Sequence, residues 1–132
     1  MYKIGEVKKI TGLSADTLRY YEKLGVLSGV SRNAAGVRLY SDKNISTLNF
    51  IKRAQQMNFS LLEIKALVSM RENPQHARDS VRQLTADKLK QIEAQLDDLT
   101  TLRNEMRLLL NLCHASEGGC PIIEGLDAGK KR

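Results

Sequence analysis

Apolar residues recur at helical spacing from the start of the chain, and small polar residues and glycines divide this pattern into short segments. Ile4, Val7 and Ile10 share one helical face. Ser14 stands where a helix N-cap belongs, and Gly25 stands where a helix commonly ends in a left-handed glycine. The spacing therefore predicts two short helices around a tight, glycine-containing turn, which is a helix-turn-helix.

Alternating polar and apolar residues replace the helical pattern between residues 30 and 40. A turn from Asn33 to Gly36 interrupts this alternation, as is typical of a β-hairpin. We therefore predict a small hairpin, or wing, that follows the helix-turn-helix. Arg32 and Arg38 are expected near the tip and the base of this wing.

Helical spacing returns after the wing and predicts two further helices. Ser41 and Ser60 are their expected N-caps. Glu63 follows Ser60 at the spacing of a capping box, which strengthens the prediction for the fourth helix. The pair Asn73 and Pro74 ends that helix, because the residue before a proline avoids the helical conformation.

Residues 77–112 contain neither glycine nor proline, and they predict one helix of about 50 Å at about 1.5 Å per residue. Apolar residues follow the alternating three-and-four spacing of a coiled coil, with one three-residue skip. A small domain offers too little surface to cover such a stripe, so we predict a two-fold homodimer through this helix. Core packing within one chain is the alternative. The stripe, called the dimer seam below, consists of Leu89, Ile92, Leu96, Leu99, Leu102, Met106, Leu109 and Cys113.

The net charge of +6 lies entirely in the N-terminal part of the chain. Residues 1–75 hold twelve of the 21 Lys and Arg residues but six of the 15 Asp and Glu residues, and the remainder is neutral. A basic segment joined to a neutral one indicates a unit that binds a polyanion. The second helix is expected to present Arg19, Tyr20 and Lys23 outward, and these residue types contact phosphates or base edges in the major groove.

The only two cysteines, Cys113 and Cys120, flank a short polar loop after the long helix. Two thiolates around one loop suit a soft transition metal, and a loop disulfide is the alternative. The only two histidines, His76 and His114, fall at the start of the long helix and beside Cys113. Imidazole at these positions could complete a mixed nitrogen and sulfur site.

Other classes of protein are disfavoured by the sequence. No apolar run reaches the ~18 residues of a membrane span, and no signal peptide is visible, so we expect a cytoplasmic protein without a membrane segment. A disulfide is disfavoured in that compartment. We expect no enzymatic activity, because no set of nucleophile, base and orienting group is visible. Two cysteines also exclude a four-cysteine iron–sulfur cluster within one chain.

Three blocks of the sequence, Ile4–Val7, Thr17–Gly25 and Gly36–Tyr40, closely resemble the DNA-binding domain of MerR-family transcription regulators. The resemblance extends over nearly the whole chain. The segment from Cys113 through Cys120 and the following Pro-Ile-Ile-Glu-Gly-Leu resembles the metal-binding loop of the copper- and zinc-responsive branches. The resemblance as a whole implies a mainly α protein: a winged helix-turn-helix, a long dimerisation helix and a short C-terminal metal-binding loop.

The resemblance divides the chain at residues 1–75, 76–112 and 113–132. It implies a metal-responsive regulator that binds promoter DNA as a homodimer. When metal binds, such a dimer activates by distorting the spacer DNA so that RNA polymerase can engage both promoter elements, a form of indirect readout. A thiol-redox or small-molecule-responsive regulator of the same fold is the alternative.

Matched residue by residue, the resemblance places Arg19, Tyr20 and Arg38 at the DNA. Tyr21 and Tyr40 either reach the DNA or belong partly to the core. Val37 stands where many relatives carry an aromatic residue, so this side chain cannot donate a hydrogen bond to a phosphate. The complete set of candidate DNA-binding residues is Arg19, Tyr20, Lys23, Arg32, Arg38 and Tyr40.

The identity of the metal depends on two opposing arguments. Copper-sensing relatives carry a serine near the start of the dimer helix, and zinc and mercury sensors carry a cysteine, whereas this chain has Arg78 there. The arginine charge could offset the −1 of two thiolates around Cu(I) or Ag(I). The two histidines instead favour Zn(II) or Ni(II), which is our expectation, with Cu(I) or Ag(I) as the alternative. The candidate metal ligands are Cys113, Cys120, His114 and His76.

Overall fold

The computed structural model describes residues 1–114, which contain five α-helices, one 3-10 turn and three short strands. The chain divides into two compact units, residues 1–85 and residues 86 onward. The first unit begins with β1 (Tyr2–Lys3), α1 (Ile4–Thr11) and α2 (Ala15–Leu24). The predicted C-terminal loop, including Cys120, lies outside the described residues.

Helices α1 and α2 form the helix-turn-helix that the sequence predicts. Gly12 follows α1 with φ +74°, and Gly25 follows α2 with φ +75°, a region that glycine enters without strain. The Ser14 hydroxyl accepts a hydrogen bond from the Thr17 backbone N–H at 3.1 Å, which confirms Ser14 as the N-cap of α2.

The wing consists of β2 (Ser31–Arg32) and β3 (Arg38–Tyr40), which pair antiparallel with Arg32 opposite Arg38. The Asn33 carboxamide oxygen stabilises the turn between them, because it accepts hydrogen bonds from the backbone N–H groups of Ala35 and Val37 at 3.0 Å. Strand β3 also pairs with β1, so the hairpin belongs to a three-stranded sheet of order β1-β3-β2. The sequence pattern did not predict β1.

Two capped helices complete the first unit, α3 (Asp42–Gln56) and α4 (Leu61–Glu72). Ser60 and Glu63 form the predicted capping box: the Ser60 hydroxyl accepts from the Glu63 N–H at 3.1 Å, and the Glu63 carboxylate accepts from the Ser60 N–H at 2.9 Å. A 3-10 turn, Pro74–His76, follows α4 and begins at the proline.

One apolar core joins the helix-turn-helix, the wing, α3 and α4. Each fully buried aliphatic side chain in such a core contributes about 1.5–3 kcal/mol to folding. Since α2 supplies members of this core, its outward face is held in a fixed orientation. The core residues are Val7, Leu18, Tyr21, Val26, Leu27, Tyr40, Leu48, Ile51, Ala54, Ile64 and Val68.

The long helix α5 (Asp79–His114) contains 36 residues, which corresponds to about 54 Å. None of its residues is fully buried. Five seam residues, Leu89, Leu96, Leu99, Leu102 and Met106, are 47–60% exposed. A continuous apolar stripe of this kind is typical of an interaction surface. Among the helices of residues 1–114, none is long and apolar enough to cross a membrane.

Candidate nucleic-acid interface and sensor residues

The outward face of α2 carries the candidate DNA contacts of this helix. Leu18 and Tyr21 face the core, which turns Arg19, Tyr20 and Lys23 toward solvent on the opposite side. About half of the Tyr20 surface is exposed, and the Arg19 side chain is 51% exposed. These three residues are therefore available to a nucleic acid without any rearrangement of the core.

Arg19 has a neighbour that the sequence analysis did not identify. Its guanidinium NH1 donates to the Asp16 Oδ1 atom at 3.2 Å, and the Asp16 side chain is 97% exposed. The two residues are three positions apart on one helix, a spacing at which side chains meet. An ion pair this exposed contributes little to stability.

The wing is linked to α2 by a second ion pair. The Arg38 Nε donates to the Glu22 Oε2 atom at 2.8 Å, and both side chains are about three-quarters buried. Arg38 therefore holds the base of the wing against α2. Arg32, in contrast, is exposed near the turn, where its NH1 donates to the Gly36 carbonyl at 3.1 Å. No local pattern signals the pair of Glu22 and Arg38, because these residues are distant in sequence.

Tyr21 and Tyr40, which the sequence analysis assigned either to the DNA surface or to the core, are both buried. The Tyr21 hydroxyl donates to the Gln55 carboxamide oxygen, and burial raises the pKa of Tyr21 while this hydrogen bond opposes the shift. Tyr40 is fully buried, and its pKa is raised by burial and then by the nearby Glu22 carboxylate. Its hydroxyl has no hydrogen-bond partner within residues 1–114. A contact between Tyr40 and DNA would require β3 to move.

A second feature missed from the sequence fixes the helix-turn-helix. The Lys52 ammonium of α3 donates to the Thr11 carbonyl at the end of α1, at 2.7 Å. A cation at a helix C-terminus satisfies a free carbonyl and interacts favourably with the helix dipole. Lys52 thereby holds the turn that precedes α2.

An open cavity of about 480 Å³ lies in the first unit, between α4 and the start of α5. His76 and Arg78, both singled out in the sequence, contribute to its lining. The His76 Nδ1 donates to the Asn73 Oδ1 atom at 2.9 Å, since a carboxamide oxygen only accepts. The other lining residues are Leu62, Lys65, Ala66, Ser69, Met70, Asn73, Ala77 and Val81.

Cys113 and His114 are the last described residues of α5. Cys113 is partly buried and is disulfide-bonded in this structure, whereas His114 is exposed. Binding of a metal by Cys113 would therefore require reduction of this disulfide. Within the described part of the chain, no three His, Cys, Asp or Glu side chains converge as a complete metal centre. The donor types at the end of α5, thiol and imidazole, nevertheless fit a soft or borderline ion.

A helix-turn-helix with an exposed basic face, followed by a wing, defines a winged helix-turn-helix DNA-binding protein. Two family matches agree with this architecture. Residues 2–71 match the MerR HTH family regulatory proteins, and residues 45–109 match the family described as MerR, DNA binding. The chain therefore belongs to the MerR family of transcription regulators, which are not enzymes, and it binds promoter DNA.

Several relatives are similar over nearly their whole length. The HTH-type transcriptional regulator CueR of Escherichia coli O6:H1 is 34% identical over 124 residues, 93% of this chain and 92% of CueR. The regulator ZntR of Escherichia coli K12 is 34% identical over 134 residues, 98% of this chain and 94% of ZntR. The crystal structure of PbrR691 from Ralstonia metallidurans CH34 in complex with lead(II) superimposes with a TM-score of 0.58 at 28% identity, covering 96% of this chain and 99% of PbrR691.

Proposed function

We propose that this protein is a homodimeric regulator that senses a transition metal through Cys113 and Cys120 and then activates a promoter by distorting its spacer DNA. The observation that carries this proposal is the combination of an exposed dimer seam with both cysteines of the chain at or just beyond its end. The lead(II) complex of the similar protein PbrR691 supports a metal as the signal. RNA polymerase is the proposed partner at the promoter, and the cytoplasm is the proposed location.

The proposed dimer forms through the seam of α5. Four of its leucines, Leu89, Leu96, Leu99 and Leu102, are about half exposed in the single chain. Covering them with the same stripe of a second chain would remove this apolar surface from water. A two-fold dimer also presents two recognition helices, which matches a pseudo-palindromic site. A sensor site that uses both His76 and Cys113 is proposed to take them from different chains of this dimer.

The proposed DNA surface consists of the outward face of α2 and the wing. Arg19, Tyr20, Lys23 and Arg32 are exposed and are the direct contacts of this proposal. Arg38 and Tyr40 remain candidates, and the bond between Arg38 and Glu22 gives Arg38 a positioning role in addition. The predicted segments 1–75, 76–112 and 113–132 would thus bind DNA, dimerise and sense metal.

Replacing Arg19 with Ala is expected to weaken binding to a selected promoter site by about tenfold or more, since the loss of a base or phosphate contact costs about 1–3 kcal/mol. The salt dependence of binding should also become shallower, because fewer counterions are released. Fluorescence anisotropy at several salt concentrations measures both effects. Lys90→Ala removes a positive charge from α5 as the control, and unchanged affinity of Arg19→Ala at every salt concentration would remove Arg19 from the interface.

Metal binding in this proposal involves Cys113 and Cys120 together with His114 and the partner chain's copy of the His76 side chain. A bound ion would join the two chains at the end of α5. Two thiolates neutralise a divalent ion, and imidazole completes a mixed site, so we favour Zn(II) or Ni(II). Arg78, beside the same cavity as His76, supports the alternative of Cu(I) or Ag(I), because its charge offsets the −1 of a dithiolate site.

Anaerobic titration of the reduced dimer with Zn(II), Ni(II) and Cu(I) tests this proposal. We expect stoichiometric binding, with His76→Ala and His114→Ala weakening divalent binding by about tenfold or more. A two-thiolate Cu(I) site would be insensitive to both variants. Gln75→Ala, next to His76 and also exposed, is the control substitution. Absence of stoichiometric binding by any of the three ions would contradict metal sensing.

A thiol-redox regulator is the second candidate, and the disulfide at Cys113 is the observation that favours it. In that case oxidation of the thiols, rather than metal, would change the shape of the dimer. The same titration distinguishes the two candidates, because a redox regulator responds to oxidation and reduction in a chelator-treated sample and does not bind metal stoichiometrically.

A further inference from the structure

Asp16 is an acidic side chain on the exposed face of α2 that carries the candidate DNA contacts. It occupies the second position of α2, after Ser14 and Ala15, and its side chain is 97% exposed. Asp16 shares the outward face of the helix with Arg19, Tyr20 and Lys23, since these residues follow it at spacings of three, four and seven. The N-terminal residues of a recognition helix are those that contact base edges in the major groove.

A carboxylate at this position must be compensated, because DNA phosphates repel it. Arg19 supplies the compensation, with its NH1 atom 3.2 Å from the Asp16 Oδ1 atom. This bond leaves part of each group available. A carboxylate has about four acceptor positions on two oxygens, and a guanidinium has five N–H donors, of which this bond uses one. The pair therefore presents an acceptor and several donors side by side toward the groove.

We propose that Asp16 is a specificity-determining residue, which accepts a hydrogen bond from the N4 amino group of a cytosine beside the guanine that Arg19 contacts. A carboxylate only accepts, and in the major groove the donors are the amino groups of cytosine and adenine, whereas guanine and thymine present acceptors at the equivalent positions. Aspartate is suited to cytosine, and arginine is suited to the O6 and N7 atoms of guanine.

The spacing of the two side chains agrees with this assignment. Side chains three positions apart on a helix are about 5–6 Å apart at Cβ, while successive bases on one strand are about 3.4 Å apart along the duplex axis. The two side chains are therefore close enough to contact two neighbouring bases at the same time. The inference rests on the family's DNA binding. If Asp16 selects a cytosine, the two-fold dimer requires that cytosine at the same position in each half-site.

Selection from a pool of duplexes with two randomised, inversely repeated half-sites tests the inference with the full-length dimer. Wild-type protein is expected to enrich cytosine at one symmetric position in each half-site. Asp16→Ala should lose that preference by about tenfold while the rest of the selected sequence is retained, since one base contact contributes about 1–3 kcal/mol of discrimination. Asp16→Asn should shift the preference toward adenine, because a carboxamide pairs with its N6 and N7 atoms.

A purely structural role makes a different prediction. An acidic residue in the first turn also stabilises the helix dipole, and loss of that effect would weaken binding to all sequences equally. Asp79→Ala, which removes an exposed first-turn acid from α5, is the matched control and should leave the base preference unchanged. An unchanged preference in Asp16→Ala, or an equal loss for all sequences, would overturn the assignment. Failure of the wild-type dimer to select any sequence would instead contradict the DNA-binding function itself.

Discussion

Replacing Leu96 with Lys is expected to dissociate the dimer and to abolish binding to the full two-fold site. Leu96 lies in the middle of the dimer seam and is 57% exposed in the single chain, so it is available to a second chain. Loss of a buried leucine costs about 2–5 kcal/mol, and a dimer loses two of them. Even the lower limit, about 4 kcal/mol per dimer, weakens association by roughly 1,000-fold before the desolvation of two ammonium groups is added.

Sedimentation equilibrium and binding to one-half-site and two-half-site duplexes measure these effects. The matched control is Ala94→Lys, which adds the same charge to an exposed position two residues earlier, off the seam. This control should remain dimeric. Because Leu96 is not part of the core of the first unit, circular dichroism of Leu96→Lys should show that unit still folded. An intact Leu96→Lys dimer would mean that the chains associate through a different surface.

The elements that the sequence predicts well are those determined by local interactions. The N-caps Ser14, Ser41 and Ser60 each accept a hydrogen bond from the backbone N–H three residues later. The glycine that ends α2 is likewise determined by its own backbone conformation. Such features involve residues within one turn of each other, so they are visible in the order of the amino acids. Helices α1–α4 and the wing were therefore predictable, and α5 begins at Asp79, two residues after the predicted start.

The features that the sequence does not predict depend on contacts between distant residues. Strand β1 has two residues, too few for a pattern, and it forms because Tyr2 pairs with Tyr40. The ion pair of Arg38 with Glu22 also requires the folded wing. This ion pair changes the interpretation of Arg38. The sequence predicts Arg38 only as a DNA contact, whereas in the structure it also holds the wing against α2.

The proposed sensor was only partly predictable for a similar reason. Composition reveals two cysteines and two histidines, and these identify the class of ligand but not its geometry. The orientation of the His76 ring depends on the Asn73 carboxamide, and the cavity beside it depends on the packing of α4 against the 3-10 turn. The choice between Zn(II) and Cu(I) thus turns on whether His76 or Arg78 contributes to the bound state.

Replacing Cys113 or Cys120 with Ser is expected to abolish metal-dependent transcription while leaving promoter binding by the metal-free dimer near wild type. Serine nearly preserves size but replaces a soft sulfur with a hard oxygen, so metal affinity should fall by at least about 100-fold, since even outer partners of a metal ligand contribute about 10–100-fold. Neither cysteine belongs to the unit of residues 1–85, which carries the candidate DNA contacts. Transcription in vitro from a selected promoter, with and without metal, measures induction, and anisotropy measures DNA binding.

These two measurements matter together because a ligand can shift a protein between two shapes only if it binds them with different affinity. If metal binding at the cysteines drives the distortion of the spacer, the variants must separate DNA binding from activation rather than lose both. Thr101→Ser, an equally small exchange at an exposed position of α5, should behave as wild type in both assays. Normal metal-dependent transcription by the double cysteine variant would show that the signal enters the dimer elsewhere. Weak DNA binding by the metal-free variants would instead assign the cysteines a structural role.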